Sequence, residues 1–297
     1  MENPLITILV PIYNAEPFLE KLFDSVLKQT YKNIEMICVD DMSTDASVHI
    51  ITEYAKSDER VRLIKRKKKG GTASKAEEFA IPYMQGEYYF YLSQDDFMDY
   101  DLLEKCMNKI RETQADIVVP NLIWYYEDKK LNTGIYPLQN DYDQIIDSKK
   151  AFELSLDWSI HGFVLKSMRI VRDLNYKADY YNSDEFYSRK AFLLCNKVAY
   201  VNASIYYRQD NPNAITKKKH YFDVDTVHVR IQLLELLIHY HYNKNLIRQQ
   251  WIYCIREAVA FSGQWYGNKW NKQQRLYIVK RIGSAYYKLA LLSRFLM

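Results

Sequence analysis

Glycine is scarce in this chain, at 8 residues in 297. Glycine-rich turns let backbone amides close on phosphate oxygens without a Cβ in the way. Neither G-x-G-x-x-G nor G-x-x-x-x-G-K-[ST] occurs, which disfavours a dinucleotide-binding Rossmann unit and a P-loop nucleotidase. Cysteine is sparse as well. Cys38, Cys106, Cys195 and Cys254 are far apart in apolar or helical-looking stretches, with no Cys-x-x-Cys pair. That excludes a zinc ribbon or a disulfide framework and reads as four buried thiols. No run approaches the ~18 apolar residues that a spanning helix needs. Residues 1–4 lack a basic region leading into an apolar one, so the sequence predicts no secretion signal and a cytoplasmic chain. Internal repeats, low-complexity tracts and Pro/Ser-rich linkers are missing. Charge of one sign is lacking too: 41 Lys+Arg against 37 Asp+Glu leave +4, too mild to indicate a nucleic-acid partner. The basic run at 65–69 is short and free of aromatics, which suits a solvated loop or a phosphate contact rather than RNA.

What is present is a large apolar share, 48%, enough for a sizeable core, and 27 Tyr whose rings can pack or stack. The length suggests about two units. Residues 5–13 (LITILVPIY) form a nearly continuous apolar run, as expected of a parallel strand buried on both faces. Asn14 is then placed to cap a helix over 17–29. Residues 34–39 read as a second strand ending in Asp40-Asp41, and Ser43, Thr44 and Asp45 can cap the helix after it. A third strand is expected over 61–64, a helix over 72–84, and a fourth strand over 88–92 that runs into Ser93-Gln94-Asp95-Asp96. This alternation predicts an α/β fold, an open and mostly parallel sheet flanked by helices, with ligands at the carboxyl ends of its strands. Beyond Asp116 the spacing gives strands at 117–120 and 198–207. From Asp223 onward it gives helices only.

Two carboxylates at a strand end can ligate a divalent cation, accept hydrogen bonds from a sugar or base, or cap the next helix. All three readings are open for Asp40-Asp41. Asp95-Asp96 is sharper, because one apolar strand delivers both groups to the same rim. Mg²⁺ or Mn²⁺ prefers one or two carboxylates together with phosphate oxygens, as in a nucleotide diphosphate complex.

Val10-Pro11-Ile12-Tyr13-Asn14, Gln29-Thr30-Tyr31-Lys32-Asn33-Ile34-Glu35 and Val39-Asp40-Asp41-Met42-Ser43-Thr44-Asp45 resemble, in order and spacing, family 2 glycosyltransferases of the GT-A fold. Ser93-Gln94-Asp95-Asp96 is similar to that family's DxD-type metal motif, and Tyr206-Tyr207-Arg208 to its downstream Tyr-Arg element. The resemblance spans residues 4–216. It implies an inverting, metal-dependent transferase of hexosyl or N-acetylhexosaminyl type, acting in capsule, lipopolysaccharide or similar surface-polysaccharide assembly. It implies Pro11, Tyr13 and Asp41 around uracil with Asp40 adjacent, and a UDP-linked donor, since a carboxylate can accept from uracil N3–H. Asp96 would ligate Mn²⁺ or Mg²⁺, with Asp95 sharing the ion or holding ribose. Where the family shows N-x-G-x-S-x-A-R-N, this chain reads K-K-G-G-T-A-S-K-A over 68–76, so that Lys75 keeps the Arg charge without its bidentate fork. Arg208 would reach the diphosphate, helped by the 209–216 loop, where Thr216 can stand in for a family Ser.

Inversion needs a general base for the acceptor hydroxyl. The family's Glu-Asp pair corresponds to Asp184-Glu185, with Glu185 at the aligned base position. Trp158 and His161 fall where the family builds its acceptor pocket, to stack on a sugar and bond a hydroxyl. The expected organisation is a catalytic domain at 1–220, with a nucleotide-binding half at 1–115 and an acceptor-binding half at 116–220, then a helical region at 221–297. That region mixes basic with aromatic and apolar residues. It suits packing on the catalytic domain, peripheral contact with the inner face of the membrane, or a homodimer. The expected partners are a nucleotide-sugar and a glycan or lipid-linked glycan. The alternative from another class is a non-catalytic GT-A-like protein that binds sugar nucleotides or glycans.

Overall fold

The structure is a computed structural model. It describes residues 3–136, 141–214, 217, 220–267 and 270–296, with 221, 222 and 264–267 as backbone alone. The chain forms two compact units: Met1–Lys177 with Tyr187–Pro212, and Ala178–Phe186 with Asn213–Met297.

The first unit is built on one sheet of ten strands. β1 (Ile6–Ile12), β2 (Ile34–Asp40), β3 (Val61–Lys65) and β4 (Tyr88–Tyr91) form its parallel half, in the order β3-β2-β1-β4. Every residue of β2 is buried, and so is every residue of β1 except Pro11. That is why both strands read as apolar runs rather than alternations. The crossovers are α1 (Leu19–Leu27), α2 (Ser47–Ser57) and α3 (Ala73–Ala80). Leu19, Leu22, Phe23 and Val26 of α1 are fully buried, and the Phe23 ring stacks on Tyr54 of α2 at 4.0 Å. The expected helix over 72–84 stops at Ala80, and a single 3-10 turn follows, because Pro82 cannot continue an α-helical ladder.

The other half contains β5 (Phe97–Met98), β6 (Ile117–Tyr125), β9 (Leu165–Ser167) and β10 (Lys197–Arg208), in the order β4-β9-β6-β10-β5. Two short strands attach to it, β7 (Thr133–Ile135) on β6 and β8 (Ile146–Asp147) on β10. β9 is antiparallel to both of its neighbours, so β6 and β10 run in the same direction as β1 to β4. All six long strands therefore end at one edge. The strand expected over 117–120 extends to Tyr125 and takes in Trp124. α4 (Leu102–Thr113), α5 (Ser148–Ser155) and α6 (Met168–Asp173) complete the unit, while α7 (Ser183–Leu193) begins in the second unit and ends in the first. The four cysteines are free and buried, and burial pushes each thiol far up in pKa.

The second unit packs α8 (Asp225–His239), α9 (Lys244–Gly267) and α10 (Lys272–Leu292) with the segment Ala178–Phe186. Its core takes Val227, Ile231, Leu234 and Leu237 from α8, Cys254 and Ala258 from α9, and Ile278, Ala285 and Leu289 from α10. Asp225, buried at the start of α8, accepts from the Tyr181 N–H (3.1 Å), the Tyr277 hydroxyl (2.7 Å) and Arg281 Nε (3.1 Å). A buried carboxylate with three donors costs far less than one left bare. α10 opens on a capping box in which Asn271 and Gln274 satisfy each other's backbone N–H. Among the described residues no helix is long and apolar enough to cross a membrane.

Candidate active site

Strand direction decides where the chemistry gathers. β1, β2, β4 and β10 finish at the same edge, bringing Tyr13, Asp40-Asp41, Asp95-Asp96 and Arg208 to one rim. The β1–β4 ladder has its last rung at Leu9 and Tyr91, and Pro11, two residues on, has no N–H with which to extend it. The strand ends part there, and Gln94 joins them by bonding the backbone of Tyr13.

The loops after β1 and β2 are tied together by side chains. Asn14 adopts φ +51°, accepts from the Thr44 N–H (2.8 Å) and donates its own N–H to Ser43 Oγ (3.0 Å). It does not cap α1, whose capping position is Phe18 with no side-chain bond, because its amide is engaged across the loops. The pair Asp40-Asp41 divides. Asp40 accepts from the Met42 and Ser43 N–H groups at 3.2 and 3.1 Å, so its carboxylate closes its own turn. Asp41 turns the other way and accepts from Arg66 Nη1 (3.0 Å) and the N–H groups of Gly70 (2.6 Å) and Gly71 (2.7 Å). Lys69 Nζ lies 3.8 Å above the centre of the Tyr13 ring. The loop at 66–71 thus rests on Tyr13 and Asp41, two of the three residues expected around a base. Gly71 has φ +80°, which favours glycine, and a Cβ at Gly70 would meet Arg66 Nη1 at 1.6 Å, so a side chain there would push the guanidinium aside. The Gly70-Gly71 pair was the available sequence signal for this close approach. Lys75 is exposed in the first turn of α3, and its N–H donates to the capping Thr72 Oγ1 at 3.2 Å.

Asp95 and Asp96 also play different parts. Asp95 is half-buried and accepts from Asn211 Nδ2 at 2.7 Å. Asp96 is 1% exposed, its Oδ1 accepts from the Arg208 N–H at 2.9 Å, and its Oδ2 has no partner. Burial, and then the neighbouring Asp95 charge, hold the Asp96 carboxyl well above the usual carboxylate range. An unpartnered buried oxygen beside a second carboxylate is a donor set that a hard divalent cation fits, with phosphate oxygens completing its shell. Arg208 reaches this corner but is largely committed to the protein. Its guanidinium donates to Glu127 Oε1 (2.7 Å), Asp210 Oδ1 (3.1 Å) and the Asp95 carbonyl (3.2 Å), and lies over the Phe18 and Tyr125 rings at 5.3 and 5.2 Å. Gln94, Asp210 and Asn211 lie within stretches that the sequence marks without giving them a role of their own, and Glu127 lies outside them. Thr216 lies outside the described residues.

His161 is 1% exposed and donates from Nε2 to the Pro120 carbonyl at 2.8 Å, and burial lowers its pKa to about 4. Trp158 is 36% exposed, with φ +66° and the Arg189 guanidinium 5.3 Å from its ring. Asp184 and Glu185 open α7 in the segment belonging to the second unit. Both are half-buried where a helix N-terminus favours carboxylates, and the Glu185 N–H donates to the Asn182 carbonyl at 3.1 Å.

The profile described as Glycosyl transferase family 2 matches residues 7–170. Glycosyltransferase GlyA of Streptococcus pneumoniae is 32% identical over 241 residues, which are 77% of this chain and 34% of GlyA. The poly(ribitol-phosphate) beta-glucosyltransferase of Bacillus spizizenii is 29% identical over 196 residues, 65% of this chain and 30% of that enzyme. The chain thus spans about a third of the length of these two relatives. Among solved structures, S. aureus TarS 1–349 in complex with UDP-GlcNAc superposes with a TM-score of 0.70 at 15% identity, covering 98% of this chain and 84% of TarS 1–349. That likeness fixes the fold as GT-A, in agreement with the strand order and helices described above. With the family profile covering more than half of its length, the chain belongs to glycosyl transferase family 2.

Proposed function

We propose that this chain is an inverting glycosyltransferase that moves a sugar from a UDP-linked donor to a hydroxyl of a glycan or lipid-linked glycan, in the assembly of a cell-surface polysaccharide. The observation that carries the reading is the convergence of Tyr13, Asp41, Asp95 and Asp96 on one strand-end rim. Asp41 carries acceptor oxygens of the kind that uracil N3–H requires, held in this structure by Arg66, Gly70 and Gly71. TarS, bound to UDP-GlcNAc, supports the donor class, and the poly(ribitol-phosphate) relative supports a role in building a cell-surface polymer. The four unpaired thiols suit a reducing cytoplasm.

Asp95 and Asp96 would hold Mn²⁺ or Mg²⁺, which neutralises charge on the departing diphosphate when bound. Asp95 offers the rim-facing carboxylate and Asp96 the inner one. Arg208 acts as a positioning residue, since it fixes Asp96 through its N–H and the Asp95 backbone through Nε. In the transfer itself, a carboxylate of the Asp184-Glu185 pair takes the acceptor hydroxyl proton. The hydroxyl oxygen bonds to the anomeric carbon while the bond to the nucleoside diphosphate breaks on the opposite face. Lys75, exposed at the start of α3, is placed to contact phosphate.

The test is a panel of nucleotide-sugars with Mn²⁺, read as released nucleoside diphosphate. Turnover of a UDP-sugar that falls at least about a hundredfold in Asp95→Asn and Asp96→Asn is the expected result. Tight nucleotide binding with no turnover of any donor would instead support the non-catalytic binding protein.

A further inference from the structure

Charge in this chain is segregated along its length. Residues 241–297 hold ten Lys and Arg side chains and one carboxylate, Glu257, giving +9 and leaving −5 for residues 1–240 in a chain of net +4. α10 contains no Asp or Glu at all. Two of its cations are tied within the unit, Arg281 to Asp225 at 3.1 Å and Lys288 to Glu235 at 3.8 Å. Lys272, Lys280 and Arg294 are exposed, and among the described residues none has a carboxylate within ion-pair distance.

One face of α10 is inside, through Ile278, Ala285 and Leu289. The opposite face is not uniformly polar, as a solvated helix face would be: apolar side chains share it with Gln273, Lys280 and Ser284. At helical spacing it presents Leu276 (53% exposed), Val279 (50%), Tyr287 (68%) and Leu291 (47%), with Gly283 and Ala290 between them. Phe295 follows, 40% exposed, beneath the Arg294 guanidinium. We infer that this outward face of α10 docks on an anionic lipid surface, with its apolar side chains at the headgroup–acyl boundary and Lys272, Lys280 and Arg294 on the headgroups. Charge selects this occupant. A second copy would set +9 against +9, whereas anionic headgroups supply counter-charge over an area and require no shaped pocket. The inference rests on the second unit alone and does not depend on the donor chemistry.

The experiment is co-sedimentation of the full chain with vesicles of phosphatidylcholine, with and without phosphatidylglycerol. The chain should pellet with the anionic vesicles only, and added salt should release it. Lys272→Glu, Lys280→Glu and Arg294→Glu should each weaken binding about fivefold. The pair Leu276→Asn and Leu291→Asn should weaken it at unchanged charge, about tenfold or more. Circular dichroism confirms that these variants fold, and the salt titration tests the wild type even where one does not. A wild-type chain that stays in the supernatant with anionic vesicles overturns the inference. So does a dimer, seen by light scattering, that Leu276→Asn dissolves, since a second copy would then cover the face. Loss of donor turnover without loss of vesicle binding would count against the transferase reading alone.

Discussion

Gln94 and Tyr13 bond each other in both directions: the Tyr13 N–H donates to Gln94 Oε1 at 2.6 Å, and Gln94 Nε2 donates to the Tyr13 carbonyl at 3.2 Å. A side-chain amide thus supplies the rung that Pro11 denies to the ladder, and it clips the strand end carrying Asp95-Asp96 to the one carrying Tyr13. Gln94→Ala should lower the melting temperature, since each bond contributes about 1 kcal/mol, and should raise KM for the donor several-fold. Gln94→Glu keeps the acceptor and loses the donor, so it should recover part of the stability. An unchanged melting temperature in Gln94→Ala would show that the clip has no energetic role.

The carboxylate pair predicts a cation-dependent stability. Mn²⁺ should raise the melting temperature of the wild type by mass action and leave Asp95→Asn and Asp96→Asn unmoved. Without metal, Asp96→Asn should be the more stable protein, because it removes a buried carboxylate whose Oδ2 has no partner. A Mn²⁺ shift of equal size in all three proteins would place the ion elsewhere.

The loop at 66–71 takes three of the roughly four acceptor positions of the Asp41 carboxylate, so a nucleotide base that uses them competes with Arg66, Gly70 and Gly71. Arg66→Ala, which removes one of the loop's three holds on Asp41, should tighten UDP binding several-fold by calorimetry. Gly70→Ala, whose methyl would collide with the Arg66 guanidinium, should act in the same direction. Weaker UDP binding in both variants would mean that the loop forms part of the base site.

Asp184→Asn and Glu185→Gln separate the base from its neighbour. The variant that loses the base should slow transfer by about a hundredfold or more at unchanged donor affinity, and the acidic limb of the pH–rate profile should disappear with it. If both single variants transfer at wild-type rate, neither carboxylate is the base.

His161 predicts the acid limit of stability. Its pKa falls from 6.5 to about 4 in the folded chain, so the unfolded chain binds the extra proton between those values. The penalty is absent above pH 6.5, grows as the pH falls, and reaches about 3 kcal/mol near pH 4. Chemical denaturation between pH 7 and 4 should show this slope in the wild type and a flatter one in His161→Gln, which can still donate to the Pro120 carbonyl. Equal slopes would assign acid sensitivity to other groups.

Long strands and amphipathic helices were legible because their patterns are local. β1, β2 and β10 announce themselves as apolar runs, and α1 by the spacing of Leu19, Leu22, Phe23 and Val26. β5, β7, β8 and β9 have two or three residues each, too few to show a period, and are defined by the neighbours they pair with. The site divides on the same principle. That Asp40-Asp41 and Asp95-Asp96 stand at strand ends follows from spacing. Which oxygen faces the rim depends on contacts from far along the chain: Arg66 and Gly70 on Asp41, and Asn211 on Asp95. Arg208 could be read as a cation at a strand end. Its partner Glu127, 81 residues away, carries no local mark.

Asp225 bears on the order in which this protein becomes complete during synthesis. β10, the last strand of the first unit, is finished at Arg208. The second unit needs Ala178–Phe186 from before that point and α10 from after it, because Asp225 takes its bonds from residues 44 positions behind and 52 ahead. While the ribosome is still adding α9, the start of α8 already carries an acidic side chain that has neither the Tyr277 hydroxyl nor the Arg281 guanidinium. The C-terminal unit therefore closes last, and a chain cut short before Tyr277 leaves that carboxylate without two of its three donors, an opening that proteases can use.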